Sequence, residues 1–216
     1  WGIPYQIFPV IALCCNIIVV SGNCFNYIRA GNINIRLLTP YLTSSIPLAF
    51  IGGSLSIEKD VFEILLFIVL TLAGILLLLK FQSFDETKKN YKKIPKIISF
   101  LIGGIIGFIS GVVGIGGGIF LSPVLLLIKA GQAKHIATTA SLFILINSIA
   151  GVAGQFTKDF ILIEIVNYWL LFLIVFLGGQ LGNFLNLKIL PGRILVLITS
   201  ALVIFVATRM GFKLFV

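Results

Sequence analysis

Charge is what this sequence has least of. Only 11% of its 216 residues are Asp, Glu, Lys or Arg, and acidic residues number seven against 16 basic ones. A soluble domain carries about a quarter charged residues, so the shortage speaks against one. Histidine occurs once, as His135, and the three cysteines Cys14, Cys15 and Cys24 all lie in or beside the first apolar run. Neighbouring Cys14 and Cys15 would project about 100° apart on a helix. No spaced Cys/His set for a metal can be assembled, so the cysteines read as small packing residues and no cofactor is expected. No Asp, Glu, Lys or Arg falls near the centre of an apolar run; Glu63 and Glu164 sit close to run ends. A membrane-embedded hydrolase or metalloenzyme needs an acid–base set or metal ligands. The absence of both argues against an enzyme.

What is present is apolar. The hydrophobic share is 59%, phenylalanine occurs 19 times, and the mean hydropathy is +1.15. These values exclude a soluble globular domain, a disordered chain and a nucleic-acid binder. Apolar runs fall at about 4–25, 37–57, 61–80, 97–113, 118–130, 136–156, 162–187 and 193–212. One span takes about 20 residues, so the chain is expected to be an all-α, polytopic helical protein of the cell membrane, the bacterial inner membrane, with about eight apolar segments. Its first partner is the lipid bilayer.

The net charge of +9 then becomes a topological statement. The stretch from Lys80 to Lys96 holds eight charges, six of them lysine. If it is cytoplasmic and each run crosses once, twelve basic residues fall inside and four outside: Lys59, Lys158, Arg209 and Lys213. That bias follows the positive-inside rule.

The two halves resemble each other. Asn16 to Phe25 aligns with Asn147 to Phe156 at an offset of 131, and Ile51-Gly52-Gly53-Ser54-Leu55 aligns with Leu177-Gly178-Gly179-Gln180-Leu181 at an offset of 126. The expected division is a first repeat over 1–80, a basic cytoplasmic linker over 81–96 and a second repeat over 97–216. Under the orientation above, 4–25 enters from outside and 136–156 from inside, which makes the repeats inverted, a recurring plan in secondary transporters. The same offset predicts that the natural chain carries a further N-terminal segment with its own glycine cluster, ahead of Trp1.

The most unusual segment runs from Gly103 to Pro123. Gly103, Gly107 and Gly111 are four apart and form a stripe against which another helix can pack closely. Gly114, Gly116, Gly117 and Gly118 differ, because four glycines in five residues do not hold a helix. The chain is expected to unwind there, which a bilayer tolerates only inside protein or beside a wet cavity. A new helix starting at such a point offers unpaired N–H groups and a positive dipole end to an anion. A packing break without a ligand is the competing reading. Thr138, Thr139 and Ser141 near the next helix start could cap that helix or donate to a ligand. Asn147, like Asn16, wants a partner at membrane depth. His135 stands near the same helix start, where a proton-relay role is conceivable.

These residues resemble the TauE/SafE family of sulfite-exporter-like membrane permeases. The match lies in Gly107, Gly111, Gly114, Gly116, Gly117, Gly118 and Pro123, then in Ala137-Thr138-Thr139-Ala140-Ser141-Leu142, Asn147-Ser148 and Gly151. The resemblance implies two related helical halves, each opening with a glycine-rich broken hairpin, and transport of sulfite, thiosulfate, sulfonates or related organic anions. The expected site for a small anionic substrate is Gly114, Gly116, Gly117 and Gly118, with Thr138, Thr139, Ser141 and Asn147 as neutral donors. The first half departs from the pattern: Phe8 and Val10 stand where the second half has Thr139 and Ser141. An inside-negative potential drives an anion outward by about 2.3 kcal/mol per charge per 100 mV, so export or facilitated exit is the expected direction. A non-transporting scaffold or sensor, with glycines serving helix packing alone, is the alternative.

Overall fold

The computed structural model describes residues 4–29, 31, 33–82, 94–158, 168–188 and 192–215. Among them are eight helices and no strand: α1 (Phe8–Arg29), α2 (Ile35–Ser54), α3 (Lys59–Gln82), α4 (Lys96–Val113), α5 (Gly118–Leu127), α6 (Ala133–Gln155), α7 (Trp169–Lys188) and α8 (Gly192–Phe215). Glu164 and most of the basic linker, 83–93, lie outside the described residues. Phe8–Arg29, Lys59–Leu79, Lys96–Val113 and His135–Gln155 are long and apolar enough to cross a membrane, and shorter apolar stretches lie in α5, α7 and α8. Large apolar side chains cover the outside, among them Ile68 and Leu72 on α3, Phe176 on α7 and Phe205 on α8. That surface suits a lipid solvent and would be a liability in water.

The orientation count takes the run at 118–130 as a crossing segment, and here the structure differs. α5 has ten residues, about 15 Å of helix, or half of a hydrocarbon core of about 30 Å. It stops because Lys129 turns to φ 55° and the Ala130 amide reaches back to the Leu125 carbonyl at 2.9 Å, a helix-ending pattern of the Schellman kind. Together α4 and α5 make a hairpin that returns to the end it started from, so the count of basic residues on each side is unchanged.

Glycine sets the packing. A Cβ on Gly103 would run into the Tyr41 carbonyl, one on Gly107 would lie 2.6 Å from Ser45 Cα, and one on Gly111 would strike the Ala49 carbonyl. The two series rise in step, so α4 lies parallel to α2 with backbones in contact. On its other side α2 meets α6 through Gly53 against the Gly151 carbonyl and Gly154 against the Phe50 carbonyl. Without a hydrophobic force between helices in lipid, this close approach supplies dispersion contacts that bulkier residues would forbid. Ser44 adds a bond from its hydroxyl to the Phe100 carbonyl at 2.6 Å.

α1 runs against α6 in the opposite sense. Leu13 meets Gly151, while three residues on in α1 and three back in α6, Asn16 and Ser148 converge on Gly116. α3 and α8 are likewise antiparallel, with Gly74 on Ile204 and Gly211 on Phe67. Two apolar clusters flank the glycine break. One joins Tyr41, Ile106, Leu121, Leu125, Ile136 and Phe143; the other joins Phe62, Leu66, Val69, Val112 and Val113.

Candidate functional site

Between α4 and α5 the backbone takes a left-handed conformation at Gly114 (φ 85°), Gly116 (φ 76°) and Gly117 (φ 72°). Three such positions in four residues demand glycine, since an L side chain there costs roughly 1–2 kcal/mol. The Gly114 amide still closes α4 onto the Ser110 carbonyl at 2.9 Å. The Gly117 carbonyl opens α5 by accepting from Phe120 and Leu121, each at 3.1 Å. Among the described residues the amides of Ile115, Gly116 and Gly117 find no backbone acceptor; Gly117 is the N-cap of α5, whose amide a helix start leaves unpaired, and the other two lie in the unwound stretch before it.

Depth matters as much as conformation. Gly118 abuts Ile144 and the Ala140 carbonyl, and Gly117 abuts Phe143, all near the middle of α6. The start of α5 therefore lies level with the centre of a helix long enough to cross the bilayer. Its N-terminal half-charge is delivered at mid-depth without any ionised side chain.

Polar side chains gather around this point. Asn16 donates from Nδ2 to the Gly114 carbonyl at 3.4 Å and stands 2.7 Å from where a Gly116 Cβ would be. Ser148 Oγ is 3.2 Å from that position, and Ser110 Cβ is 3.4 Å from the corresponding position on Gly117. Ser110 Oγ, Ser148 Oγ, Thr139 Oγ1 and Asn147 Oδ1 are buried and have no hydrogen-bond partner among the described residues. Each such group costs about 1–3 kcal/mol when left unpaired. Two of them, those of Ser110 and Ser148, stand beside the glycine break, and an unpaired buried polar group in a native protein calls for an explanation.

Of the residues singled out from the sequence, the four glycines form the break itself. Thr138, Thr139 and Asn147 are fully buried on α6. Ser141 is half-buried, and no contact brings it to the break. Asn147 sends its Nδ2 to the Phe143 carbonyl at 2.9 Å, so the unpaired atom it presents is an acceptor. Ser110, Ser148 and Asn16 touch the break although the sequence expectation left them out. Two signals pointed to them: Asn16 is the repeat mate of Asn147, and Ser110 closes the turn before Gly114.

The sequence model of the sulfite exporter TauE/SafE family matches residues 1–210. The chain belongs to that family. Two curated relatives carry the name "probable membrane transporter protein". One, from Sinorhizobium fredii, is 29% identical over 200 residues, covering 92% of this chain and 80% of the relative. The other, from Methanocaldococcus jannaschii, is 24% identical over 215 residues, covering 94% of this chain and 79% of the relative. No solved structure matches. This TauE/SafE protein is thus a multi-pass membrane transporter of the cell membrane, and its broken helix lies within the matched residues.

Proposed function

We propose that this TauE/SafE protein moves small oxyanions such as sulfite, thiosulfate or an organosulfonate, by export or facilitated exit. The observation that carries the reading is the pair of buried hydroxyls of Ser110 and Ser148, unpartnered among the described residues, beside an unwound backbone at mid-depth. The anion is held by the free amides at 115–117 and the α5 dipole, with Thr138, Thr139, Ser141, Ser110 and Ser148 as neutral donors along its path. Donors of this kind match a polyatomic oxyanion, whose several acceptor oxygens take short hydrogen bonds from different directions. A site without a fixed cation binds strongly enough to admit the anion and weakly enough to release it, which passage requires.

The division into repeats over 1–80 and 97–216 belongs to the same reading, and the helix packing supports it. Exchanging α1 with α6, α2 with α7 and α3 with α8 carries the α1–α6 and α3–α8 contacts onto themselves. It also carries the α2–α6 contact onto α7–α1. Flux of sulfite and thiosulfate into or out of proteoliposomes tests the function. The expected result is anion flux in the native protein that disappears when Gly116 and Gly117 are both replaced by Leu; flux surviving that change would overturn the site.

A further inference from the structure

A second polar feature lies beyond the end of α4, away from the unpaired hydroxyls. A cavity of about 220 Å³ opens there, lined among others by Gln6, Pro9, Ser56, Val112, Gln155 and Lys158. At about 30 Å³ of liquid volume per water, it holds a small anion together with part of its hydration. It adjoins the break directly. Pro9 Cα is 2.5 Å from where a Gly114 Cβ would be, Val112 precedes Gly114 by two residues, and Gln155 Nε2 reaches the Gly111 carbonyl at 3.4 Å. Because α2, α4 and α6 run parallel, this is the end of the bundle opposite Lys96.

The chemistry at its rim is distinctive. Lys158 Nζ donates to the Leu55 carbonyl and to Gln155 Oε1, both at 2.8 Å. Both acceptors are uncharged, and among the described residues Lys158 makes no ion pair. An ammonium has three N–H donors, so one remains for a further acceptor. Burial pulls the Lys158 pKa below its ordinary value, a cost that an arriving negative charge would relieve. Gln155, 1% exposed, holds the ammonium in place through its carbonyl and ties it to the end of α4 through its amide.

We propose that Lys158, positioned by Gln155, captures the anion in this cavity, on the path between the outer face and the glycine break. The inference rests on the transport reading above and adds to it a cationic station outside the neutral one. Oxyanions meet a full charge at the mouth and a half-charge of backbone origin within, so capture and release are handled by different groups.

The test is anion flux in proteoliposomes with thiosulfate supplied from the Lys158 side or from the opposite side, for native protein, Lys158→Gln and Lys158→Arg. Gln removes the charge while keeping a neutral N–H donor on a side chain one bond shorter. Expected for Lys158→Gln is a KM raised about tenfold, the worth of one charge-assisted hydrogen bond, when thiosulfate is offered from the Lys158 side. Maximal flux should be retained, with KM from the opposite face little changed and Lys158→Arg close to native. A KM unmoved by Lys158→Gln, in a native protein that does transport, overturns the capture site and leaves the central site standing. A fall in maximal flux and thermal stability with KM unchanged, not rescued by Arg, assigns Lys158 to capping α2 and also overturns it. Absence of flux in the native protein for both sulfite and thiosulfate refutes the transport reading itself, and the capture site with it.

Discussion

Replacing Gly116 by Ala separates the site from the scaffold. The residue sits at φ 76°, where an alanine carries roughly 1–2 kcal/mol of left-handed strain. The new methyl would stand 2.7 Å from Asn16 Nδ2, 2.9 Å from Ile144 Cγ2 and 3.2 Å from Ser148 Oγ. Asn16 and Ser148 can swing their polar ends away, whereas Ile144 Cγ2 sits on a stiff β-branched Cβ and must shift with it, so overpacking adds about 1–3 kcal/mol. The sum, about 2–5 kcal/mol, lowers the melting temperature, and less than a clash of backbone on backbone does. The methyl nevertheless occupies the space between Asn16 and Ser148 in which an anion would meet the free amides. Gly111→Ala is the contrasting case, because its Cβ would strike the Ala49 carbonyl and lie 2.9 Å from the Gly53 amide nitrogen. Backbone on backbone has no small relief, so that variant is expected to lose the folded bundle. Gly178, with nothing within 4 Å of its Cβ position, gives a neutral Ala control. The assay pairs size-exclusion and thermal unfolding in detergent with proteoliposome flux. Gly116→Ala that transports normally, or that unfolds as readily as Gly111→Ala, would refute the reasoning.

Three further outcomes follow from the polar groups. Ser148→Ala and Ser110→Ala remove hydroxyls that have no partner among the described residues, so thermal stability should hold or rise by up to about 1 kcal/mol while the KM for thiosulfate increases; a clear loss of stability would mean these hydroxyls are already paired. Asn16→Leu removes the donor to the Gly114 carbonyl and should destabilise the protein by about 1 kcal/mol, read as a lower melting temperature, with flux reduced. Gln155→Leu leaves the Gly111 carbonyl without its donor and Lys158 with Leu55 alone; a loss of about 1–3 kcal/mol is expected, measurable by the same unfolding assay.

Much of the architecture could be read from apolar runs alone. The run at 61–80 became α3 and the run at 97–113 became α4 with little shift, since lipid requires each exposed segment to satisfy its own backbone. The stripe of Gly103, Gly107 and Gly111 and the break at Gly114 to Gly118 were likewise evident from spacing and from glycine's poor helix propensity. Partnership was not. Nothing in one strand of text says that Asn16 and Ser148, 132 positions apart, meet across the same glycine. Nor does it say that the Asn147 amide turns back to its own helix. The length of α5 was hidden because Ile128 and Ala130 are as apolar as the helix they follow; the backbone turn at Lys129, not hydropathy, ends it. Gln155 falls at the tail of the run at 136–156 and Lys158 in the break after it, as one of the outside charges; only the parallel course of α2 and α6 brings Leu55 within reach of that ammonium.

The short α5 also has an electrical consequence. Its first residue lies about 15 Å from either face of a core about 30 Å thick, so an anion held there has crossed roughly half of the membrane voltage. At about 2.3 kcal/mol per charge for the whole drop at 100 mV, half the drop is about 1.2 kcal/mol. The apparent affinity for a monovalent anion should then change about sevenfold per 100 mV, rising with the potential when the anion arrives from one face and falling when it arrives from the other. A ten-residue helix would in this way set the fraction of the cell's resting voltage that each half of the transport path converts into binding or release.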